Sequence, residues 1–377
     1  MASFRGRSRF AFAVAGLALL LGTAGPASAQ AVLKVNDNVN FRFGFLLQGW
    51  ADWAQDPVSQ GYSQNLFLRR ARVIVAGQVA PGVTFFFETD NPNLGKNKAA
   101  GSLGTGLIVQ DAFAEWKIAD EFAIQGGLIL IPLCRNCLQS AAGLLSIDYG
   151  SYSFLQIGAT ATNSSVGRDT GFQAKGYLLD KHLEYRVGAF QGARAPASAT
   201  NAASNNAFRV AARVMYDVFD TEVGHFYSGT SLGKKKILAI GGGIDTQSSY
   251  QAYAADVFFD WPIAGGNGIT LQADYIHWDG GTTYTTLLAR NSFFAEGGFY
   301  FGGPKIMPWL KYETVSASDS VNSAAIDESR WQVGLAWYAA GYNFNIKALY
   351  GRIEPKVTSA SKSASSQFTI QLQAFYF

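Results

Sequence analysis

The two cysteines of this chain, Cys134 and Cys137, have a spacing that suits three kinds of chemistry. A Cys-x-x-Cys pair can form a local disulfide, act as a redox centre in a thioredoxin-like fold, or supply half of a zinc site. The redox centre requires a strand and helix context that the neighbouring residues lack. Zinc requires two more ligands, and no histidine is close in the sequence. We therefore favour a disulfide or a structural loop staple in an exported protein, and we predict neither a metal nor a cofactor.

The three histidines, His182, His225 and His277, are widely separated in the sequence. A serine, histidine and acid triad is compatible with such a separation, but no nucleophile-elbow pattern marks a serine. The surrounding residues predict that these histidines lie in turns or at strand ends. We therefore predict that the protein is not an enzyme.

Charged residues that alternate with apolar ones are the remaining candidates for chemistry. Guanidinium groups are always ionised and bind phosphate or carboxylate oxygens in bidentate fashion. Our candidates for lining a pore and contacting an anionic solute are Arg70, Arg72, Lys175, Arg186, Arg209 and Arg213. The alternative is that they pair with nearby acids such as Glu88 and Glu184, which would leave little selectivity.

The elements that position these side chains are β-strands, and residues 66–90 show the pattern most clearly. They predict a hairpin closed by a tight turn at residues 80–82, with alternate side chains on opposite faces. Arg70 and Glu88 lie on the polar faces of its two arms. In a soluble sheet the apolar face packs on a core, whereas in a membrane barrel it meets lipid and the polar face lines an aqueous lumen.

Residues 1–29 predict a secretory signal peptide, because three arginines precede a short apolar run and an Ala-Ser-Ala cleavage site. Without this segment the 30 basic residues of the chain fall to 27, which equals the 27 acidic ones. The mature chain is therefore formally neutral. Because it also lacks a run rich in lysine and arginine, we predict no nucleic-acid partner.

Beyond the signal peptide, no stretch approaches the roughly 18 to 20 apolar residues that a transmembrane helix needs. Abundant glycine and aromatic residues with two-residue alternation favour many strands joined by turns. The predicted strands are residues 41–53, the two arms of the hairpin 66–90, 107–117, 122–130, 170–179, 183–191, 208–217, 235–247, 251–261, 268–278, 289–301, 305–316, 329–338, 342–350 and 366–377. Their even number is typical of bacterial outer-membrane barrels.

The connections between the predicted strands alternate in length, as in barrels with short periplasmic turns and longer outer loops, with one short exception on the outer side near residues 248–249. The longest outer loop, about residues 132–167, is rich in apolar side chains, so we expect it to fold inward and narrow the lumen. One periplasmic connection, residues 218–234, is too long for a turn, and a strand miscount is expected there. Aromatic residues at strand ends favour girdles at the two membrane surfaces. We predict an all-β, 16-stranded antiparallel transmembrane β-barrel as a single domain over residues 30–377.

Four segments of the chain resemble the phosphate-selective porin O and P family. They are FLRRARVIVAGQ, GRDTGFQAKGYLLDKHLEYRVGAFQG, YSGTSLGKKKILAIGGG and NFNIKALYGRIEP, and they are spread over most of the mature chain. The resemblance implies a sixteen-stranded barrel, usually a trimer, with long connections folded into the lumen. Anion-selective members carry many inward arginines and lysines, whereas inward bases and acids are nearly equal in number here. The resemblance therefore implies a pore without specifying its solute.

The combined prediction is a porin of the bacterial outer membrane, a water-filled channel for passive diffusion of small hydrophilic solutes. The inward arginines suggest anionic, phosphate-like solutes among them. The predicted partners are outer-membrane lipid, these solutes and further copies of the chain in a homotrimer. A barrel enzyme of the lipase or protease type and a structural or adhesive barrel are the alternatives, and the charged strand faces favour the pore.

Overall fold

A computed structural model describes residues 31–96, 106–155, 167–194, 207–358 and 362–377. The predicted signal peptide, residues 1–29, lies outside the described residues. The strands are β1 (Ala31–Asn36), β2 (Val39–Gln55), β3 (Tyr62–Ala80), β4 (Val83–Asp90), β5 (Ile108–Lys117), β6 (Ala123–Leu130), β7 (Arg168–Leu178), β8 (Leu183–Phe190), β9 (Arg209–Asp217), β10 (Ile237–Gln247), β11 (Tyr250–Ile263), β12 (Asn267–Asp279), β13 (Arg290–Tyr300), β14 (Ile306–Ala317), β15 (Glu328–Trp337), β16 (Phe344–Pro355) and β17 (Ser365–Tyr376). Short helical turns occur at Asn136–Leu138, Ser151–Leu155, Ala264–Gly266 and Ser323–Ile326.

Strands β2 to β17 form a closed antiparallel barrel of sixteen strands, in which each strand pairs with the next one along the chain. Closure comes from β17, which runs antiparallel to β2 with Tyr376 opposite Phe45. The predicted fold is confirmed. The prediction missed β1, which pairs with β2 beyond the end of β17, with Ala31 opposite Phe43.

Along each strand, side chains alternate between an apolar outer face of the barrel and an inner face that carries most of the charge. Outward side chains such as Val73, Phe172 and Leu310 are 57%, 72% and 65% exposed, whereas inward Arg70 is 2% exposed. An outer face of this kind matches the hydrocarbon of a bilayer, and closure leaves no strand edge with unpaired backbone groups in lipid. No helix within the described ranges has the length and apolarity needed to cross a membrane.

The two ends of the barrel differ in their connections. One end, here called the short-turn end, has tight connections such as that between β3 and β4, where Gly82 adopts a φ of +73° that glycine accepts without strain. The opposite end, the long-loop end, carries the longer connections, including residues 131–167, and one short turn between β10 and β11. The exception at the short-turn end is residues 218–236, between β9 and β10. The expected strand miscount is not found there, because this connection folds into the barrel instead of forming another strand.

We expect the mature chain, refolded in detergent, to migrate faster on a gel when it is unheated than after boiling. The reason is that a closed barrel keeps every backbone group paired and stays compact in detergent. Circular dichroism of the same sample should show a β-type spectrum. A helical spectrum would contradict the barrel.

Candidate functional site

The inner wall of the barrel carries all six basic residues that the sequence singled out. They point inward, they are buried, and each lies beside a carboxylate. The closest pairs are Arg70 with Asp148 (2.6 Å), Arg72 with Asp90 (2.9 Å) and Glu88 (3.1 Å), Lys175 with Glu115 (3.2 Å), Arg186 with Glu184 (2.6 Å), Arg209 with Asp245 and Arg213 with Asp256 (2.5 Å). The wall therefore presents ion pairs, which is the alternative that the sequence left open.

The segment after β6, residues 131–155, lies inside the barrel and is called the lumen insert. Two lysines of the opposite wall hold its backbone. The ammonium group of Lys347 donates to the carbonyls of Leu144, Leu145 and Ser146 at 2.5, 3.3 and 2.9 Å. In the same way, Lys311 donates to two further carbonyls of the insert at 2.9 and 2.8 Å. The rest of the predicted inward loop, residues 156–166, lies outside the described residues.

Asp148 of the lumen insert accepts ion pairs from two successive arginines of β3. The distances are 3.0 Å to Arg69 and 2.6 Å to Arg70. Neighbouring residues of a strand normally face opposite sides of the sheet. Here the pairing of β2 with β3 shifts between Gln48 and Gly49, which forms a β-bulge at Arg69. Because of this bulge, both arginines reach the carboxylate. Burial acts to raise the pKa of Asp148, but the charges of Arg69 and Arg70 outweigh it and lower the pKa below the usual range.

Cys134 and Cys137 form a disulfide within the lumen insert, at the start of a short helical turn. Arg135 lies between them and is fully buried. Its guanidinium group donates to both carboxylate oxygens of Glu222 at 2.6 and 2.9 Å and stacks on the ring of Phe258 at 3.7 Å. The disulfide thus closes the turn that directs Arg135 towards the connection between β9 and β10.

That connection, residues 218–236, enters the barrel from the short-turn end and is called the lumen strap. Its backbone pairs with the lumen insert: the Tyr227 amide donates to Leu138, and the Tyr227 carbonyl accepts from Ser140, at 3.0 and 2.9 Å. His225 of the strap contacts Gln125 of β6 at 3.0 Å. Burial, together with nearby cationic residues of the wall, holds the pKa of His225 well below its usual range. The imidazole is therefore neutral near pH 7.

The wall, the insert and the strap pack together as one interior. Inward residues of the wall such as Gln48, Asp245 and Thr369 are at most 1% exposed. One cluster of buried apolar residues joins Leu138 of the insert, Tyr227 of the strap and inward wall residues. Within the described ranges, the insert and the strap thus occupy the lumen beside these wall residues.

Solved structures of outer-membrane proteins share this architecture. A Salmonella typhi OmpF in complex with daunomycin matches with a TM-score of 0.62 at 13% identity, over 92% of this chain and 100% of that chain. An anion-selective porin from Comamonas acidovorans matches with a TM-score of 0.58 at 9% identity, over 90% and 100% of the two chains. The chain has the porin fold. An in-vitro folded OmpT of Vibrio cholerae, solved in a trimer form, also matches, with a TM-score of 0.54 at 12% identity over 90% and 100%.

The porin fold and the outward apolar band together confirm the predicted location in the bacterial outer membrane. No family model and no curated protein matches the sequence. The resemblance to the phosphate-selective porin O and P family therefore stays a prediction.

The porin barrel separates the three histidines. His182 contacts the backbone carbonyl of Asp217 at a turn, and His277 contacts the amide side chain of Asn291 on β13. His225 lies in the lumen strap. None of these contacts joins a serine, a histidine and an acid in a catalytic relay. Among the described residues, no group of three or more potential metal ligands is present.

Sequence reasoning missed the residues that hold the lumen segments together. Alternation along β3 gave no sign of Arg69, because only the bulge turns it inward. Asp148 and Glu222 belong to connections, where alternation does not apply. Two signals were available: Arg135 lies between paired cysteines, and residues 218–234 are too long for a periplasmic turn.

Proposed function

We propose that this chain is an outer-membrane porin, a non-enzymatic channel for passive diffusion of small hydrophilic solutes. The observation that carries the proposal is a closed sixteen-stranded barrel with an apolar outer face, a charged inner wall and a connection folded inside it. A wall of this polarity favours water and polar solutes along the path that opens when the lumen segments move. No feature of the described residues specifically favours a lipase, a protease or an adhesive barrel.

The proposed assembly is a homotrimer. The support is the fold shared with an outer-membrane protein that was solved as a trimer. Chemical cross-linking of the unheated protein in detergent, followed by gel electrophoresis, should give a band at three times the mass of the chain. A band at the mass of one chain alone would contradict the trimer.

The test of channel function is the conductance of the refolded mature chain in a planar lipid bilayer. We expect discrete conductance steps from protein that passes the heat-modifiability test. Boiled protein is the matched control and should give no steps. Folded protein that inserts into the bilayer without conducting would contradict the proposal.

A finer form of the proposal is conduction of anionic, phosphate-like solutes along Arg70, Arg72, Lys175, Arg186, Arg209 and Arg213. Its support is the inward position of these residues and the affinity of guanidinium groups for oxyanions. Because each of them has a carboxylate partner, we expect a weak anion preference. The preference should be largest at low ionic strength, since the screening length is about 30 Å at 0.01 M salt.

Removing a single arginine is a poor test of this preference, because it leaves a buried carboxylate unpaired. That change shifts selectivity towards cations whether or not the arginine contacts the permeating anion. We therefore predict different results for R209Q and for the double variant R209Q/D245N. The single variant should shift the reversal potential towards cations in a gradient of chloride or phosphate. The double variant removes the whole pair and leaves the net charge unchanged, so it should lose anion preference through the missing contact of Arg209 with the anion, by less than R209Q. A double variant that keeps the parent's reversal potential would contradict a contact between Arg209 and the permeating anion.

A further inference from the structure

At the short-turn end of the barrel, the lumen strap contacts wall strands on both sides of β9 and β10, the two strands that it connects. At its first contact, Arg186 of β8 donates to the carbonyls of Gly224 and His225 at 3.2 and 3.0 Å. Two residues further on, the Tyr227 hydroxyl donates to Glu184 of the same strand at 2.8 Å. These bonds attach the first half of the strap to β8.

The second half of the strap is attached to β11 and β12 instead. The hydroxyl of Thr230 lies 2.9 Å from the hydroxyl of Thr270 on β12. The next amide, that of Ser231, donates to Asp260 on β11. Between His225 and Thr230 the chain thus passes over the inner face of the wall from β8 to β12, so it occupies the lumen beside these strands.

The strap also meets the lumen insert, which comes from the opposite end of the barrel. Gly229 donates to the carbonyl of Gly143 at 2.8 Å. A side chain at Gly229 would have its Cβ only 2.6 Å from the amide nitrogen of Leu145, so the two backbones touch. The bidentate pair of Glu222 with Arg135 joins the same two segments, and this pair is hereafter called the latch.

The ends of the strap and the space beside it permit movement. Gly224 and Gly233 have φ angles of +142° and +72°, where glycine lets the backbone change direction at little cost. A cavity of about 450 Å³ lies between the strap and the connection from β15 to β16, lined by residues that include Ser231, Leu232 and Tyr342. The strap therefore has glycines at two turns of its backbone and a cavity on one side, where the Tyr342 hydroxyl donates to the carbonyl of Thr230.

We propose that the lumen strap is a gate at the periplasmic end of the channel and that the latch between Glu222 and Arg135 holds it shut. The inference rests on the proposed channel function. The structure describes the shut arrangement, in which the strap is bonded to β8, β11 and β12 of the wall and to the lumen insert. Opening releases the latch and moves residues 225–230 away from β12, which frees a path along the charged wall.

The test locks the strap to the wall after the protein has folded. The variant T230C/T270C, in a C134S/C137S background, places two thiols where hydroxyls now lie 2.9 Å apart. It is folded and inserted into a planar bilayer under reducing conditions and then oxidised. We expect oxidation to reduce the current severalfold and renewed reduction to restore it.

The matched control is A273C/A295C in the same background. Ala273 and Ala295 are directly paired residues of β12 and β13, so this disulfide joins two wall strands and leaves the contact between Thr230 and Thr270 in place. Its oxidation should leave the current unchanged. Thiol titration before and after oxidation confirms that both disulfides form.

If the locked strap conducts as well as the reduced form, the gate is overturned and the channel function stands. If the reduced protein and the parent are both folded and silent, the channel function fails, and the gate fails with it. The latch has its own test. E222Q should raise the open fraction at constant voltage, whereas E354Q, in an exposed pair with Arg352, should not. An E222Q channel with the parent's open fraction would overturn the latch.

Discussion

A barrel that lacks residues 141–164 is expected to carry severalfold more current through each open channel than the parent. The deletion removes the part of the lumen insert that Lys347 and Lys311 hold against the wall. It also removes Gly143, to which the strap donates. A sixteen-stranded barrel is wide enough for an aqueous channel once its lumen is cleared. Single-channel recording in a planar bilayer measures the effect.

The control for this deletion is the removal of residues 57–60, an exposed part of the connection between β2 and β3 at the long-loop end. That variant loses chain at the same end of the barrel but not from the lumen, so its conductance should equal the parent's. Both variants are compared only after unheated samples show the mobility of a closed barrel. A folded insert deletion with the parent's conductance would show that the insert does not limit the current.

Replacing Asp148 with alanine is expected to loosen the lumen insert by about 3 to 5 kcal/mol, the cost of breaking a buried ion pair by removing one partner. The carboxylate is 13% exposed and forms ion pairs with two guanidinium groups, Arg69 at 15% and Arg70 at 2% exposed. Without it, two positive charges with little access to solvent lie side by side. Hydrogen exchange of the amides in residues 144–150, measured in detergent, should increase strongly in D148A.

Asp120 provides the matched control for D148A, because it also lies between two cations, Lys117 and Lys181, but at an exposed turn. Its pKa is lowered to about 2, first by hydrogen bonds from these two lysines. Exposed pairs of this kind contribute little to stability, so D120A should leave the exchange of residues 144–150 unchanged. Equal exchange in D148A and the parent would mean that Lys311 and Lys347 hold the insert without help from Asp148.

The lowered pKa of Asp148 also sets the pH range in which this contact persists. A carboxylate whose pKa is lower in the folded protein stabilises it fully above the ordinary aspartate pKa of about 3.9. The contribution is lost only as the pH falls through the lower, folded value. We therefore expect the exchange of residues 144–150 in the parent to stay constant from pH 7 to pH 5 after correction for the intrinsic rate. D148A should exchange faster throughout this range.

The inner wall shows why a count of inward charges does not predict selectivity. The basic residues on β7 to β9 suggested a positively charged face, but Lys175, Arg186, Arg209 and Arg213 each have an acid within reach. The acid for Arg186 lies two residues away on the same strand, whereas the acid for Arg213 lies two strands away on β11. In the proposed gated channel, selectivity then depends on which pairs the opening of the strap exposes, and less on the total charge.

The sequence by itself determined the barrel. Strand alternation has a period of two whatever the partner strand is, and a bilayer outside demands apolar side chains at every second position. For this reason residues 66–90 showed their inward and outward faces before any tertiary contact was known. Strand β1 was not predicted, because it is short and its residues, such as the adjacent Val32 and Leu33, show no clear alternation of polar and apolar side chains.

Tertiary structure alone decided how the lumen is filled. Arg70 and Asp148 are 78 residues apart in the chain, and Arg135 and Glu222 are 87 apart. Contacts between residues so far apart in the sequence depend on how the connections fold inside the closed barrel. The two-residue alternation along a strand does not encode them. The bulge that turns Arg69 inward is a property of two paired strands, not of one. The same holds for the strap, whose length was visible in the sequence but whose path became determined only when the barrel closed around it.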